Sequence, residues 1–573
     1  MTCTSCLTTA LLFLFGAALV IGGSGLPASE SVADDPVVWS IFLDGLGTFS
    51  SPRAADFNAD GILDIVIGSG RQEFVASDSG VIAIDGKTGD ILWHVDARDQ
   101  IFGSAALHDI NGDGTSDAII GGRSAELKAI DGSTGSVLWE YFPAGDTVVA
   151  STHGLYNFYN PQFIGDQNDD EVSDLLVSNG GDVLAPPGEH DRPAGRLMVI
   201  SGRDGRLIAS DRTPDGRETY MSPVVGDLAG QGEIEIIFGT GGETVGGHLF
   251  RTTLTDLLEQ DISAAAVLAS GAGQGFIGPP VLADITQDGI LDIVANAVDG
   301  RMLAFDGRDN SPIWSVHVPG TEAYSSIAVG YFTEDDVPDF FGSFAMGEWP
   351  DLGWSRQLMV DGRTGEIAFS DSLGLYQTSS PVAADLNGDG RDEAILSVNY
   401  EEITTLFQKR FFTMLVRFDF ETGEVAQLGG SLYGSNLSST PWLGDLDGDQ
   451  FLDIIYCHTP DTLHTYVFNG LQINRIVTNF HEATPVAWGS YMGSGYDGIF
   501  RQRRTTGARR ELLRGRTPPK TNTSSGAWMI SKSKKRRLLG MRRRLDYWDG
   551  VCYWSHHVRV VNTSGPWRDT AAL

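Results

Sequence analysis

Eight stretches of this chain carry short carboxylates and amides at alternating positions, the pattern by which a loop offers oxygen ligands to a hard cation. One reads "DINGDGTSD" from Asp109, with Asp109, Asn111, Asp113 and Asp117 at positions 1, 3, 5 and 9 and Gly114 where the chain must turn. The others are "DFNADGILD" from Asp56, "DQNDDEVSD" from Asp166, "DLAGQGEIE" from Asp227, "DITQDGILD" from Asp284, "YFTEDDVPD" from Tyr331, "DLNGDGRDE" from Asp385 and "DLDGDQFLD" from Asp445. Alternation turns positions 1, 3 and 5 inward, position 7 offers a carbonyl, and position 9 returns a carboxylate.

Comparison among the copies grades them as calcium sites. Oxygen ligands fill all four side-chain positions in copies one (Asp56, Asn58, Asp60, Asp64), two, three (Asp166, Asn168, Asp170, Asp174) and eight (Asp445, Asp447, Asp449, Asp453). Copy five (Asp284, Thr286, Asp288, Asp292) and copy seven (Asp385, Asn387, Asp389, Glu393) are workable variants. Copy four has Ala229 and Gln231, and copy six begins with Tyr331, so neither is expected to bind metal. The expectation is about four to six Ca²⁺ rather than Mg²⁺, which prefers a strict octahedron that keeps water. An EF-hand would need a glutamate at position 12 inside a helix. Here position 12 is Ile67, Ile120, Leu396 or Tyr456, each within a β-type run. Capping of turns by Asp and Asn without metal is the competing explanation. Position 9 argues against it, because capping those turns gives no evident reason for a further carboxylate.

The loops recur at separations of 53, 57, 61, 57, 47, 54 and 60 residues, in the range of repeated β-sheet units. Each copy has one internal order: a small-residue lead-in ("SSPRAA", "MSPVVG", "SSPVAA", "STPWLG"), the acidic loop, a short apolar strand, a second strand ending in a D-G-x-T-G turn, and a strand that often carries tryptophan. Asp and Gly supply the backbone conformations that such hairpins need. Four short strands per unit and no long helix predict an all-β, eight-bladed β-propeller of four-stranded antiparallel blades, with calcium loops in most blades. The strand "DPVVWSIF" (35–42) precedes the first loop and is placed to complete the last blade. Trp93, Trp139 and Trp314 are expected to pack between blades.

Two resemblances follow from these residues. "IFGSAALHDINGDGTSDAIIGG" is similar to the FG-GAP/VCBS repeats of integrin α-like propellers, and "AIDGKTGDILW" resembles the PQQ-like repeat of eight-bladed quinoprotein-type propellers. Together they cover roughly residues 35–500. They imply fold more than function, since such propellers host adhesion modules, assembly factors, lyases and dehydrogenases. A quinone-dependent dehydrogenase would be expected to carry an adjacent cysteine pair. Cys457 stands alone in the body, so no PQQ is expected.

The formal net charge of −35 conceals two regions. Residues 501–573 hold 18 Lys+Arg against four acids, and the remainder holds 22 against 71. An acidic body of that kind repels nucleic acid and anionic membranes, so no nucleic-acid partner is expected. Residues 1–29 read as a signal peptide, from "TALLFLFGAALVIGG" and the small residues after it, without a Lys or Arg ahead of the apolar run. This predicts a secreted, extracellular or cell-surface protein, periplasmic if bacterial. Membrane contact would come only through an uncleaved N-terminal anchor or a missing C-terminal segment. The basic tail from 501 shares neither repeat nor composition with the body and reads as disordered or aberrant. A monomer is expected. Sequons stand at Asn436, Asn522 and Asn562.

Departures from the repeat mark the candidate ligand site. "NGGDVLAPPGEHDRPAGR" (179–196), "PDGRETYMSP" (214–223), "GTGGETVGGHLF" (239–250) and "FAMGEWPDLGW" (344–354) bring in His190, Arg192, Glu218, Tyr220, Glu243, Trp349 and Trp354. Aromatic faces with carboxylates and a guanidinium suit a glycan or protein ligand. Structural loops on a solvated surface are the alternative. No catalytic residue is assigned. The leading expectation is a non-catalytic binding or adhesion module. A polysaccharide lyase of the rhamnogalacturonan-lyase type, which abstracts a proton beside a uronate, is second, and a PQQ-dependent dehydrogenase is third.

Overall fold

A computed structural model describes residues 28–30, 37–141, 156–183, 185, 189–271, 273–403, 408–465, 467–482 and 484–502. The chain divides into a unit ending at Gln502 and a second unit from Arg503. The apolar leader through residue 27, the tail from 503 and the sequons at Asn522 and Asn562 lie outside the described residues.

Among the described residues there are five four-stranded sheets, one of five strands and one of ten. The first repeat shows the plan: Arg53–Ala55, Asp64–Gly68, Ser77–Ile84 and Ile91–Ala97 pair in chain order, all antiparallel. The acidic loop joins the first and second strands, and the D-G turn joins the third and fourth. Antiparallel pairing puts both on one face, and Gly86 N donates to Asp64 Oδ1 at 3.0 Å across them. The connections between second and third strands, and between successive sheets, therefore lie on the opposite face. In the ten-stranded sheet two such sets meet through the single pair Leu375 and Asn399. Ala28–Glu30 pairs in parallel with residues 426–428 on its edge.

The N-terminal strand Val37–Asp44 pairs antiparallel with Gly470–His481, joining the beginning of the described chain to its last sheet. A hydrogen-bonded belt through the lead-ins makes the same closure. Ser51 N donates to Ser104 Oγ (2.9 Å), Ser104 N to Asn160 Oδ1 (3.1 Å) and Asn160 N to Ser222 Oγ (3.3 Å). Ser326 N donates to Ser380 Oγ (3.0 Å), Ser380 N to Thr440 Oγ1 (3.0 Å), and Thr440 N back to Ser51 Oγ (3.0 Å). The belt skips the position of Pro279, which has neither an N–H nor a hydroxyl.

Tryptophan joins neighbouring sheets at the outer edge. The indole N–H of Trp39, Trp93, Trp139 and Trp314 donates to the carbonyl of Gly86, Gly132, Gly202 and Gly362 at 2.7–2.8 Å, each in the turn between third and fourth strands of the adjacent repeat, with Ser201 in place of the aspartate before Gly202. The second glycine of that turn lies flat on the ring. A Cβ on Gly135 (φ +72°) would fall 2.6 Å from Trp93. These indoles pack between sheets, as expected from the sequence. Trp93→Phe keeps most of the apolar contact but leaves the Gly132 carbonyl without its donor. It should cost about 1–2 kcal/mol in chemical denaturation.

Residues 484–502 fold back into the ring of first strands. Trp488 exchanges two backbone hydrogen bonds with Ala383 (both 2.9 Å), Leu443 N donates to Gly489 O (2.7 Å), and Leu282 N donates to Gly498 O (2.8 Å). Trp488, Ser490 and Met492 are buried completely. Arg53, 1% exposed, anchors the segment from the first repeat: its guanidinium donates to Ser490 Oγ (2.9 Å), Tyr491 O (2.6 Å) and Ala105 O (3.2 Å) and lies 4.1 Å from the Tyr496 ring centre. A cavity of about 450 Å³ remains beside it, lined by Leu107, Phe163, Val225 and Tyr496.

Candidate functional site

The acidic loops are built round their first and ninth residues. Asp109 Oδ1 and Oδ2 accept the amides of Gly112 (2.7 Å) and Gly114 (2.9 Å), wrapping the loop round the carboxylate. Asp117 is fully buried and accepts from Ile110 N (2.9 Å), Asn111 N (3.2 Å) and Gly132 N (3.1 Å). Copy six has Tyr331 in place of the first aspartate, yet its Asp339 holds the same three positions: Phe332 N, Thr333 N and Gly362 N at 2.8–3.0 Å. Position 9 therefore has a structural task that needs no cation: it ties the acidic loop to the hairpin beside it. Sequence reasoning missed this because the glycine amide it caps lies some 15–28 residues onward, as in Gly132 and Gly202.

In the six copies graded as calcium sites, the donors at positions 1, 3 and 5 are hard oxygens and fit calcium chemistry. In copy eight the carboxylates of Asp445, Asp447 and Asp453 lie within 4.8 Å of one another. There an internal cation already serves two of them: Arg475 donates to Asp447 (2.6 Å), to both oxygens of Asp453 (3.0 and 3.1 Å) and to Gly86 O (3.1 Å). Arg475 follows Asp453 by 22 residues and meets it only across paired strands, so no local pattern announces it.

Burial pushes the Asp339 carboxyl up to about 7 from 3.8, against three amide donors, and the Glu393 carboxyl up to about 8 from 4.5, with Asp389 and Asp385 adding to the effect. A raised native value means that the folded state holds the proton more tightly. This stability is fully present below the ordinary carboxyl value and is lost as pH rises through the raised one. In EDTA, unfolding free energy should therefore fall between pH 4.5 and 8, and added Ca²⁺ should flatten that slope by favouring ionised Glu393. Melting curves across that window check it.

The divergent loops emerge on the opposite face, and several of the expected residues meet there. Arg192 donates to the Tyr220 hydroxyl (2.9 Å) and Glu218 Oε2 (3.4 Å), and its Nε donates to Glu189 O (3.0 Å). Glu218 is 4% exposed, and burial raises its carboxyl pKa against the opposing pull of Tyr220 and Arg192. Burial, then Glu218, pushes the Tyr220 phenol up. The Glu243 charge acts on Arg192, Glu218 and Tyr324. In the second cluster buried Glu322 accepts from the Tyr324 hydroxyl (2.5 Å), Trp349 N (3.1 Å) and Gln274. The Trp349 ring lies 6.4 Å from Tyr376.

His190 is exposed and joins none of these bonds. Trp354 packs edge-on to Tyr400 at 6.4 Å, in the strand after the loop. Glu322 and Tyr324 were not anticipated, although a signal was present: "ETYMS" and "EAYSS" place Glu four residues and Tyr two residues before the belt positions Ser222 and Ser326. Asn436 of the first sequon is 3% exposed and donates both amide hydrogens, to Ser397 Oγ (3.1 Å) and Ser439 O (2.8 Å), leaving no acceptor site for a glycan. Cys457 is buried, and its thiol is pushed up to about 12 by burial. Burial also lowers His458 to about 4.

The family model of the outer membrane protein assembly factor BamB matches residues 38–161. A quinohemoprotein alcohol dehydrogenase from Pseudomonas putida HK5 aligns at TM-score 0.50 and 11% identity, over 78% of this chain and 76% of that one. A europium-containing methanol dehydrogenase aligns at TM-score 0.50 and 11% identity, over 77% and 93%. The fold is a β-propeller. At such identity the likeness speaks for this propeller's fold alone. Protein FAM234B of Mus musculus is 23% identical over 379 residues, covering 60% of this chain and 56% of that protein. The Homo sapiens protein is 22% identical over 410 residues, covering 61% and 57%. The chain thus matches a little over half the length of these relatives. Among the described residues, no helix is long and apolar enough to cross a membrane.

Proposed function

We propose that this chain is an exported, eight-bladed, calcium-loaded propeller of FG-GAP type that binds a glycan or protein ligand without chemical turnover. The observation that carries the reading is the state of the charged groups on the divergent face. Arg192 is held by Glu218 and Tyr220, and Glu322 is held by Tyr324, Gln274 and the Trp349 amide. Such groups position and recognise. A general base needs reach to a substrate proton and a pKa near the working pH, whereas burial drives the Tyr220 phenol away from ionisation.

In this reading Ca²⁺ occupies the loops of Asp56, Asp109, Asp166, Asp284 and Asp385, while Arg475 takes the cation's place in the eighth. The bound ions offset part of the body's negative charge and hold one face rigid, and the opposite face presents its loops. Incubation with pectic and uronate polysaccharides tests the non-enzymatic part. Absorbance in the unsaturated-uronate band should stay flat, and a rise would establish the lyase instead.

A further inference from the structure

The inner edges of the first strands are unequally served. In each of these three-residue strands the outer two residues face the ladder, and the middle one turns its backbone to the axis. The axial segment partners four of the middle residues. Ala383 exchanges bonds with Trp488 (both 2.9 Å), and Leu443 N donates to Gly489 O (2.7 Å). Leu282 N donates to Gly498 O and accepts from Phe500 N (both 2.8 Å), and Ala54 N donates to the Tyr496 hydroxyl (3.2 Å). Val329 of the sixth repeat is sealed in the core with Phe500. The middle residues of the second, third and fourth repeats are Leu107, Phe163 and Val225. They stand at the same register with no backbone partner toward the axis among the described residues.

These three residues wall the cavity of about 450 Å³, a volume within the range of ligand sites. Ile234, Tyr496 and Ile499 extend its apolar lining, and of the six only Val225 is buried. Unpaired backbone groups beside apolar walls are what an added strand engages. The axial segment shows the manner: Trp488 and Gly489, consecutive residues, serve two consecutive repeats. Charge surrounds the opening. His108 leads directly into Asp109, Gly226 into Asp227, and Asp166 lies two residues beyond Ile164. The fourth loop, where no calcium is expected, supplies Ile234 to the wall and carries Asp227 and Glu233, neither of them paired with a basic residue among the described residues. Asp497, also in the wall, is held by Arg501 at 3.0 Å.

We propose that this cavity takes an extended peptide of another protein. Its apolar residues add to the edges at Leu107, Phe163 and Val225, and Lys or Arg on its flanks meets the acidic loops. The site is separate from the divergent face and does not rest on the ligand proposed there. The test is a library of heptapeptides with three varied central residues between paired lysines, titrated against the full calcium-loaded chain by fluorescence polarisation. Apolar-centred members should bind and serine-centred ones should not. Exchanging the lysines for glutamates, or N-methylating the three central amides, should each weaken the strongest member by about tenfold or more. A Cβ on Gly165, which lines the cavity, meets nothing nearer than Gln167 Nε2 at 3.7 Å. Gly165→Trp should therefore obstruct the opening, cost about tenfold or more in affinity and melt with wild type. Phe163→Ala should cost about tenfold. Asp309→Asn, in an outer turn on the acidic-loop face, should leave binding unchanged. Binding that survives either N-methylation or Gly165→Trp would overturn the site, as mere attraction of a basic peptide to an acidic surface. Equal binding of serine-centred peptides, or preference for glutamate flanks, would overturn the ligand class. No binding by any member would overturn the proposal and leave the divergent-face reading standing.

Discussion

Stripping divalent cations with EDTA should lower the melting temperature of this propeller by roughly 10 °C or more, and Ca²⁺ should restore it. One site at a hundredfold excess over its dissociation constant contributes about 2.7 kcal/mol, so five occupied loops together contribute about 13 kcal/mol. Two substitutions in one loop divide the effect. Asp109→Ala removes the carboxylate that the loop wraps and should remove one site's share of the calcium response. Asp117→Ala leaves the amides of Ile110, Asn111 and Gly132 unpaired in a buried place. It should cost about 2–4 kcal/mol even in chelator. A melting curve indifferent to EDTA would remove calcium from the account and leave the ninth-position caps standing.

Arg53→Ala should destabilise the protein by about 3–5 kcal/mol, independently of calcium. The guanidinium is buried from end to end, and burial lowers its pKa to about 10. Three acceptors, Ser490 Oγ, Tyr491 O and Ala105 O, depend on it. Arg53→Met fills much of the volume without donors and should recover only part of the loss. Limited proteolysis supplies a second readout, with cleavage within residues 484–502 appearing in Arg53→Ala before the sheets unfold. Equal denaturation midpoints for wild type and Arg53→Ala would show that the axial segment contributes little.

What could be read without coordinates was local. Turn-forming Asp-Gly pairs, alternating acids and short apolar strands act within about a dozen residues, and their recurrence supplied the sheet order and the propeller. The closing strand was legible as well, because "DPVVWSIF" resembles a fourth strand lacking its three predecessors. The outer tryptophans were read as packing residues for the same reason: they repeat in phase with the strands.

The rest depended on distance along the chain. Thr440 meets Ser51 across 389 residues, and Arg53 meets Ser490 across 437, with no local pattern to announce either pair. The ninth-position carboxylate looked like a metal ligand because one of its amide partners, the turn glycine such as Gly132, belongs to the next hairpin. Arg475 looked like an ordinary strand residue until pairing set it against Asp453. Sequence periodicity determined that the chain forms repeated β units with acidic loops on one face. Only the closed ring decided which loops converge, what fills the axis and which strand edges are left for a ligand, because those contacts arise between units that the chain order keeps apart.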